Sequence, residues 1–136
     1  MKPLAEFASK CDERADKITS RENKKEHIAI NKDKSAVRQL QIDGDVIKDE
    51  NIKKCDYLVL NDDKNTAYFI ELKGNKIKDA IQQIDATVKK FEKDLKDYTK
   101  NLRIVFSGSV KSGTIREWTK YNKNAKAERE KLEENI

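Results

Sequence analysis

The spacing of apolar positions changes several times along the chain, and each change marks an element. Leu4, Phe7, Ala8, Cys11, Ala15 and Ile18 recur at helical spacing after Pro3, which predicts a first helix. From His27 to Ile47 the spacing shortens. Ile28 and Ile30 alternate with other residues, NKDKS has turn composition, and VRQLQIDGDVI predicts a second strand with a kink or bulge at Gly44. CDYLVL (55–60) predicts a third strand, NDDKNT a polar turn, and AYFIELK (67–73) a fourth strand.

Ile77, Ile81, Ile84, Val88, Phe91, Leu95 and Tyr98 then follow at steps of 4, 3, 4, 3, 4 and 3. They form one apolar stripe on a long helix spanning residues 76–98. The stripe has heptad form, but it is short for a coiled coil, so packing on a sheet is the expected use. LRIVFSGS (102–109) predicts a strand stopped by glycine, and strand–helix–strand predicts a crossover with partly parallel pairing. Residues 114–136 lean towards helix, although KAEREKLEENI is too polar to assign. The order helix, antiparallel strands, helix, strand predicts an α/β fold, with a mixed sheet flanked by helices.

Composition narrows the picture only a little. At 136 residues the chain has the length of one domain, taken as residues 1–136. It is 40% charged, with a net charge of +5, which suits a polyanionic partner without requiring one. No run of apolar residues is long enough for a membrane span. MKPLAEFASKCDER has acids where a signal peptide has an apolar core, so a cytoplasmic location is expected. Cys11 and Cys55 are expected as reduced thiols, and His27, beside Glu26 and Lys25, as a surface residue.

One stretch conflicts with its own pattern. TAYFIELKG (66–74) is a core strand carrying Glu71 and Lys73 near its end, where ionised groups are costly unless something pairs with them. Strand alternation puts Phe69, Glu71 and Lys73 on one face. A turn symmetric about Asp63 and Lys64 sets Asp56 opposite Glu71, and two directly opposed carboxylates repel. A cation belongs between them; Lys73 is one candidate and a divalent metal such as Mg²⁺ the better one.

Asp56 in KCDYLVL, followed by Glu71 and Lys73 in FIELKG and then an amphipathic helix, resembles the PD-(D/E)xK nuclease superfamily. The resemblance covers roughly residues 36 to 106, with a looser match in the first helix. It implies a restriction-endonuclease-like αβββαβ core and metal-assisted hydrolysis of phosphodiesters. Asp56 and Glu71 would hold Mg²⁺, with Mn²⁺ as a substitute, and Lys73 would be the catalytic lysine. Acid-x-Lys triplets also occur at Glu22, Asp62 and Asp94, but only the one at Glu71 lies in an apolar strand opposite another strand's aspartate. Cys55 stands where the pattern has proline. Gln83 partly echoes the helical Gln-x-x-x-Tyr element of some nuclease branches, with Thr87 in place of tyrosine. A helix acid, Glu6 or Glu13, is a candidate to complete the site, whereas Asp43 and Asp45 beside Gly44 are expected as turn residues.

Lys111, Arg116, Trp118, Lys120 and Tyr121 mix cations with rings after the last strand, a candidate nucleic-acid patch. The expected substrate is DNA ahead of RNA. Base preference, if any, would come from loops, a homodimer or a partner protein. The competing reading is a binding module of the same fold without turnover. The intact Asp56–Glu71–Lys73 set favours the enzyme.

Overall fold

The computed structural model describes residues 2–136. It is a mixed α/β structure with ten elements: β1 (Lys17–Glu22), β2 (Lys25–Ile30), β3 (Val37–Gln41), β4 (Tyr57–Asn61), β5 (Thr66–Lys73), α1 (Ile77–Lys90), β6 (Thr99–Phe106), α2 (Ser112–Tyr121), β7 (Ala125–Arg129) and β8 (Lys131–Asn135). Two sheets form: a three-stranded one in the order β1-β2-β8, and a five-stranded one in the order β3-β4-β5-β6-β7. No helix among the described residues is long and apolar enough to cross a membrane.

β5 explains the layering. Ala67 and Phe69 point into a core shared with Ile77, Ala80 and Ile84 of α1 and Trp118 of α2. Tyr68, Ile70 and Leu72 point into a second core with Ile18 of β1, Ala29 of β2 and Leu132 of β8. A strand covered on both faces has a nearly continuous apolar run, as AYFI and Leu72 do. The five-stranded sheet is therefore the middle layer, between the helices and the smaller sheet.

The central part follows the expected order. β3, β4 and β5 are consecutive antiparallel neighbours, and β5 reaches β6 through α1 in parallel register. The chain turns at Asp43–Ile47, where Gly44 has φ +97°.

Four expectations need correction. The segment 4–18 is not a helix; residues 4–16 are turns and irregular chain, and Lys17 and Ile18 already belong to β1. Leu4 and Phe7 pack in the helix-side core, whereas Cys11, Ala15 and Ile18 pack in the core between the sheets. One helical face cannot serve cores on opposite sides of a sheet. Second, one mixed sheet was expected and two are present, because β2 pairs with β1 and β8 instead of joining β3.

Third, α1 stops at Lys90, and residues 91–98 continue as turns. Lys89 and Lys90 suit a helix C-terminus, while Glu92, Asp94 and Asp97 would crowd its negative end. Phe91, Leu95 and Tyr98 stay buried all the same, and the Tyr98 hydroxyl donates to Asp62 Oδ1 at 2.7 Å. Fourth, the helical tail ends at Tyr121, and the polar stretch beyond it forms β7 and β8.

Candidate active site

The β4–β5 register is the one that the symmetric turn requires. Leu58 pairs with Phe69 and Tyr57 with Ile70, so the next step along the ladder sets Asp56 beside Glu71. The Asp56 N–H donates to the Ile70 carbonyl at 3.1 Å, and Asp56 Oδ2 accepts the Leu72 N–H at 2.8 Å. Both carboxyl groups and Lys73 line a cavity of about 480 Å³.

α1 holds the start of β4 in place. Thr87 Oγ1 accepts the Cys55 N–H at 2.8 Å and donates to the Gln83 carbonyl at 2.9 Å. Gln83 Oε1 accepts the Lys54 N–H at 2.6 Å. Gln83 therefore lines the cavity while anchoring the backbone two residues before Asp56. The residue at position 87, where the resemblance has tyrosine, also has a structural task. Thr87→Val is expected to strand the buried Cys55 N–H and to cost about 1–3 kcal/mol, measured by urea unfolding.

The pair sits in an unfavourable electrostatic setting. Burial raises the Asp56 pKa, and the Glu22 and Asp43 charges add to the shift against the opposing Leu72 N–H. Burial also raises that of Glu71, followed by the Asp56 charge, with Lys73 acting in the other direction. Glu71 is only 4% exposed, and its Oε1 atom is buried without a hydrogen-bond partner. Among the described residues, no ion pair within 4.0 Å includes Asp56, Glu71 or Lys73. A structural salt bridge at the strand end is thus not what these residues form.

A carboxyl whose folded pKa is raised stabilises the fold while protonated, below the unfolded values of about 4. That contribution is lost as pH rises through the raised values. In metal-free protein, the stability of wild type relative to Asp56→Asn should therefore fall from about pH 5 to about pH 8. Urea unfolding at both pH values checks this; a constant difference would contradict it.

The remaining sequence candidates fall in different places. Neither Glu6 nor Glu13 lines the cavity; Glu22 and Asp43 do, and their charges act on Asp56. Asp43 is a turn residue, as expected, but it also lies on the cavity wall. Glu22 precedes a two-residue turn in which Asn23 and Lys24 have φ of 46° and 65°. Asn at such a turn marks a hairpin, and this was the available signal for it.

Lys111 and Arg116 are exposed at and within the first turns of α2. Lys120 is exposed too, with its ammonium 5.8 Å from the centre of the Tyr121 ring. Trp118 is a correction: it is 5% exposed and packs in the helix-side core, so it offers no face to a base. Tyr121, at 74% exposed, does.

His27 is also a correction, being fully buried instead of on the surface. Its Nε2 lies 2.7 Å from Glu134 Oε2, a partner contributed by the far end of the chain. Cys11 and Cys55 are free thiols, and burial pushes the Cys55 thiol well above its ordinary pKa.

Comparison with protein-family models, curated proteins and solved structures finds no match for this chain.

Proposed function

We propose that the protein is a metal-dependent nuclease that hydrolyses phosphodiester bonds of DNA, or of RNA, on a restriction-endonuclease-like core. The observation that carries this reading is the carboxylate pair. Asp56 and Glu71 are adjacent and largely buried, they have no cation partner within 4.0 Å among the described residues, and one Glu71 oxygen lacks any donor. The run β3-β4-β5-α1-β6 supports the fold assignment. The helix that the resemblance places ahead of it is replaced by turns and a β-hairpin.

The donor set suits a hard divalent cation. Mg²⁺ is commonly held by one or two carboxylates, with waters and substrate phosphates completing its shell. Asp56 and Glu71 would supply those two carboxylates. The described residues contain no cluster of three or more His, Cys, Asp or Glu side chains arranged for a metal, so the other ligands would be water and substrate. When bound, Mg²⁺ or Mn²⁺ supplies Lewis-acid polarisation of a phosphoryl oxygen and a more acidic water.

The protein's own groups do the rest. Lys73, on the same strand face as Glu71, brings a positive charge to oxygens that become more negative in the transition state. Gln83 and Thr87 hold the Lys54–Cys55 backbone, and hence Asp56, in register. Lys53 and Lys54 on the cavity wall offset part of the negative charge that Glu22, Asp43 and Glu50 add beside the carboxylate pair.

The test is incubation with plasmid, single-stranded DNA and RNA, in Mg²⁺, in Mn²⁺ and in EDTA. Cleavage in either metal that EDTA abolishes supports the proposal. Absence of cleavage on every substrate in both metals removes it and leaves a binding module.

A further inference from the structure

The hairpin β1–β2 brings a further lysine to the cavity, from the other sheet. Inward-facing residues of β2 are Lys25, His27 and Ala29, alternating with the more exposed Glu26, Ile28 and Ile30. Ala29 is core, and His27 has Glu134. Lys25, at the open end of this row, is only 6% exposed and lines the same cavity as Asp56, Glu71 and Lys73.

Its ammonium is poorly satisfied. Among the described residues, the one hydrogen bond it donates is to the Asn23 carbonyl, at 3.4 Å. Glu22 is its direct cross-strand partner, yet no carboxylate lies within 4.0 Å of Lys25 Nζ among the described residues. An ammonium has three donors, and a buried charge without a partner is costly. The neighbouring Lys54 shows the contrast. It is also buried, but it donates to the Asp49 and Ile52 carbonyls, each at 3.0 Å, with Asp43 at 3.8 Å.

The geometry points to Lys25 as a phosphate-binding residue, donating to a backbone phosphate oxygen of a polynucleotide lying in the cavity. The inference rests on the reading of this cavity as a phosphodiester site and adds to it a contact from outside the Asp–Glu–Lys set. The cavity is then lined from both sides of the middle sheet, with Lys73 on the helix-side face of β5 and Lys25 coming from the side of the outer sheet. β5 supplies Lys73 from one wall and the β1–β2 hairpin supplies Lys25 from the other. An anion fits this arrangement because it gives the ammonium the partner that the fold withholds. Where Asp56 and Glu71 hold a divalent cation, a phosphate beside Lys25 would meet positive charge from both.

The test is made in EDTA, so that it is independent of cleavage. A short thymidylate oligonucleotide is titrated calorimetrically into wild type, Lys25→Met and Lys131→Met, the last being an exposed lysine that does not line the cavity. Methionine keeps the apolar stem, and melting curves confirm folding. Lys25→Met should weaken binding about tenfold or more. It should also reduce the slope of log affinity against log salt by about 0.7, the value for one phosphate contact on a single strand. Lys131→Met should do neither. In wild type, the Lys25 Cε resonance should move on saturation with the oligonucleotide, a readout that holds even if Lys25→Met unfolds.

Wild-type affinity and salt slope in folded Lys25→Met overturn the inference. So does a Lys25 resonance that stays still. A resonance that moves with inorganic phosphate but not with the oligonucleotide assigns the subsite to a small phosphate and overturns its place on a polynucleotide path. If the oligonucleotide binds through Lys25 but Mg²⁺ brings no cleavage, the nuclease reading falls and the subsite stands. If Lys25→Met cleaves with wild-type rate and KM, the reverse holds.

Discussion

Asp56→Asn is expected to abolish Mg²⁺-dependent cleavage while leaving the metal-free protein folded and at least as stable as wild type. The asparagine oxygen can still accept the Leu72 N–H that Asp56 Oδ2 accepts now at 2.8 Å. Its amide N–H₂ adds donors beside the Glu71 carboxylate, whose Oε1 has none. Removing the Asp56 charge also removes a contribution that raises the Glu71 pKa. The gain in metal-free stability should be on the order of 1 kcal/mol, the upper end for a cross-strand pair.

Wild type should gain stability from Mg²⁺, by about 2.7 kcal/mol at a hundred times its Kd, because the ion binds only the native state. Asp56→Asn should lose this gain. Lys73→Ala should retain it, since lysine is not a ligand, yet cleave about 10²–10³-fold more slowly, the usual loss when one donor to developing negative charge is removed. Binding to a pair that retains a proton releases that proton, so Mg²⁺ affinity should rise with pH. Melting curves and cleavage rates for the three proteins, in EDTA and in Mg²⁺, separate these effects. A clearly destabilised metal-free Asp56→Asn, together with a wild type indifferent to Mg²⁺, would falsify the active-site assignment.

Glu134→Ala is expected to cost the fold about 3–5 kcal/mol, the usual penalty for breaking a buried ion pair from one side. That is a large share of the roughly 5–15 kcal/mol that holds a domain together. Glu134 in β8 accepts from Arg103 Nε at 2.7 Å and Nη2 at 2.9 Å, and its Oε2 lies 2.7 Å from His27 Nε2. Without it, the buried Arg103 guanidinium keeps hydrogen bonds to the Leu102 and Asn124 carbonyls, both on Nη1, and its place over the Tyr68 ring, but no anionic partner among the described residues. The middle sheet (Arg103) and the outer sheet (His27, Glu134) are joined through this cluster.

Burial opposes ionisation of Glu134, but the His27 and Arg103 hydrogen bonds and charges outweigh it and hold the pKa down to about 2. A depressed carboxylate pKa contributes stability that is present above the unfolded value and lost as pH falls through the folded one. This contribution should therefore fade between about pH 4 and about pH 2. Replacing Arg103 as well, as in Arg103→Met with Glu134→Leu, should recover part of the loss, because the guanidinium is then no longer buried alone, although His27 Nε2 still loses its partner. Urea unfolding of the single and double variants measures it. A loss under about 1 kcal/mol for Glu134→Ala would place the cluster among weak surface pairs.

Where local pattern and tertiary environment agree, the sequence was sufficient. Asn61 and Thr66 close a short turn between two apolar runs, and that alone set the register bringing Asp56 beside Glu71. Period 2 in β5 assigned its faces, and the change to a helical period after Gly74 located α1 and the parallel return to β6. Backbone geometry and side-chain alternation act over a few residues, so a few residues carry the information.

Other features depended on partners far away in the chain. The apolar positions from Leu4 to Ile18 have helical spacing but are divided between two cores, a division that exists only once the middle sheet is covered on both faces. KLEEN is a polar segment until Glu134 meets Arg103 and His27, 31 and 107 positions away. His27 and Lys25 belong to a run of charged residues, and only the pairing of β2 with β1 and β8 turns both inward. The sequence by itself determined the β4–β5–α1–β6 frame and its carboxylate pair. Tertiary structure decided which distant charges close around that frame, because burial of a charge depends on what packs over it and not on its neighbours in the chain.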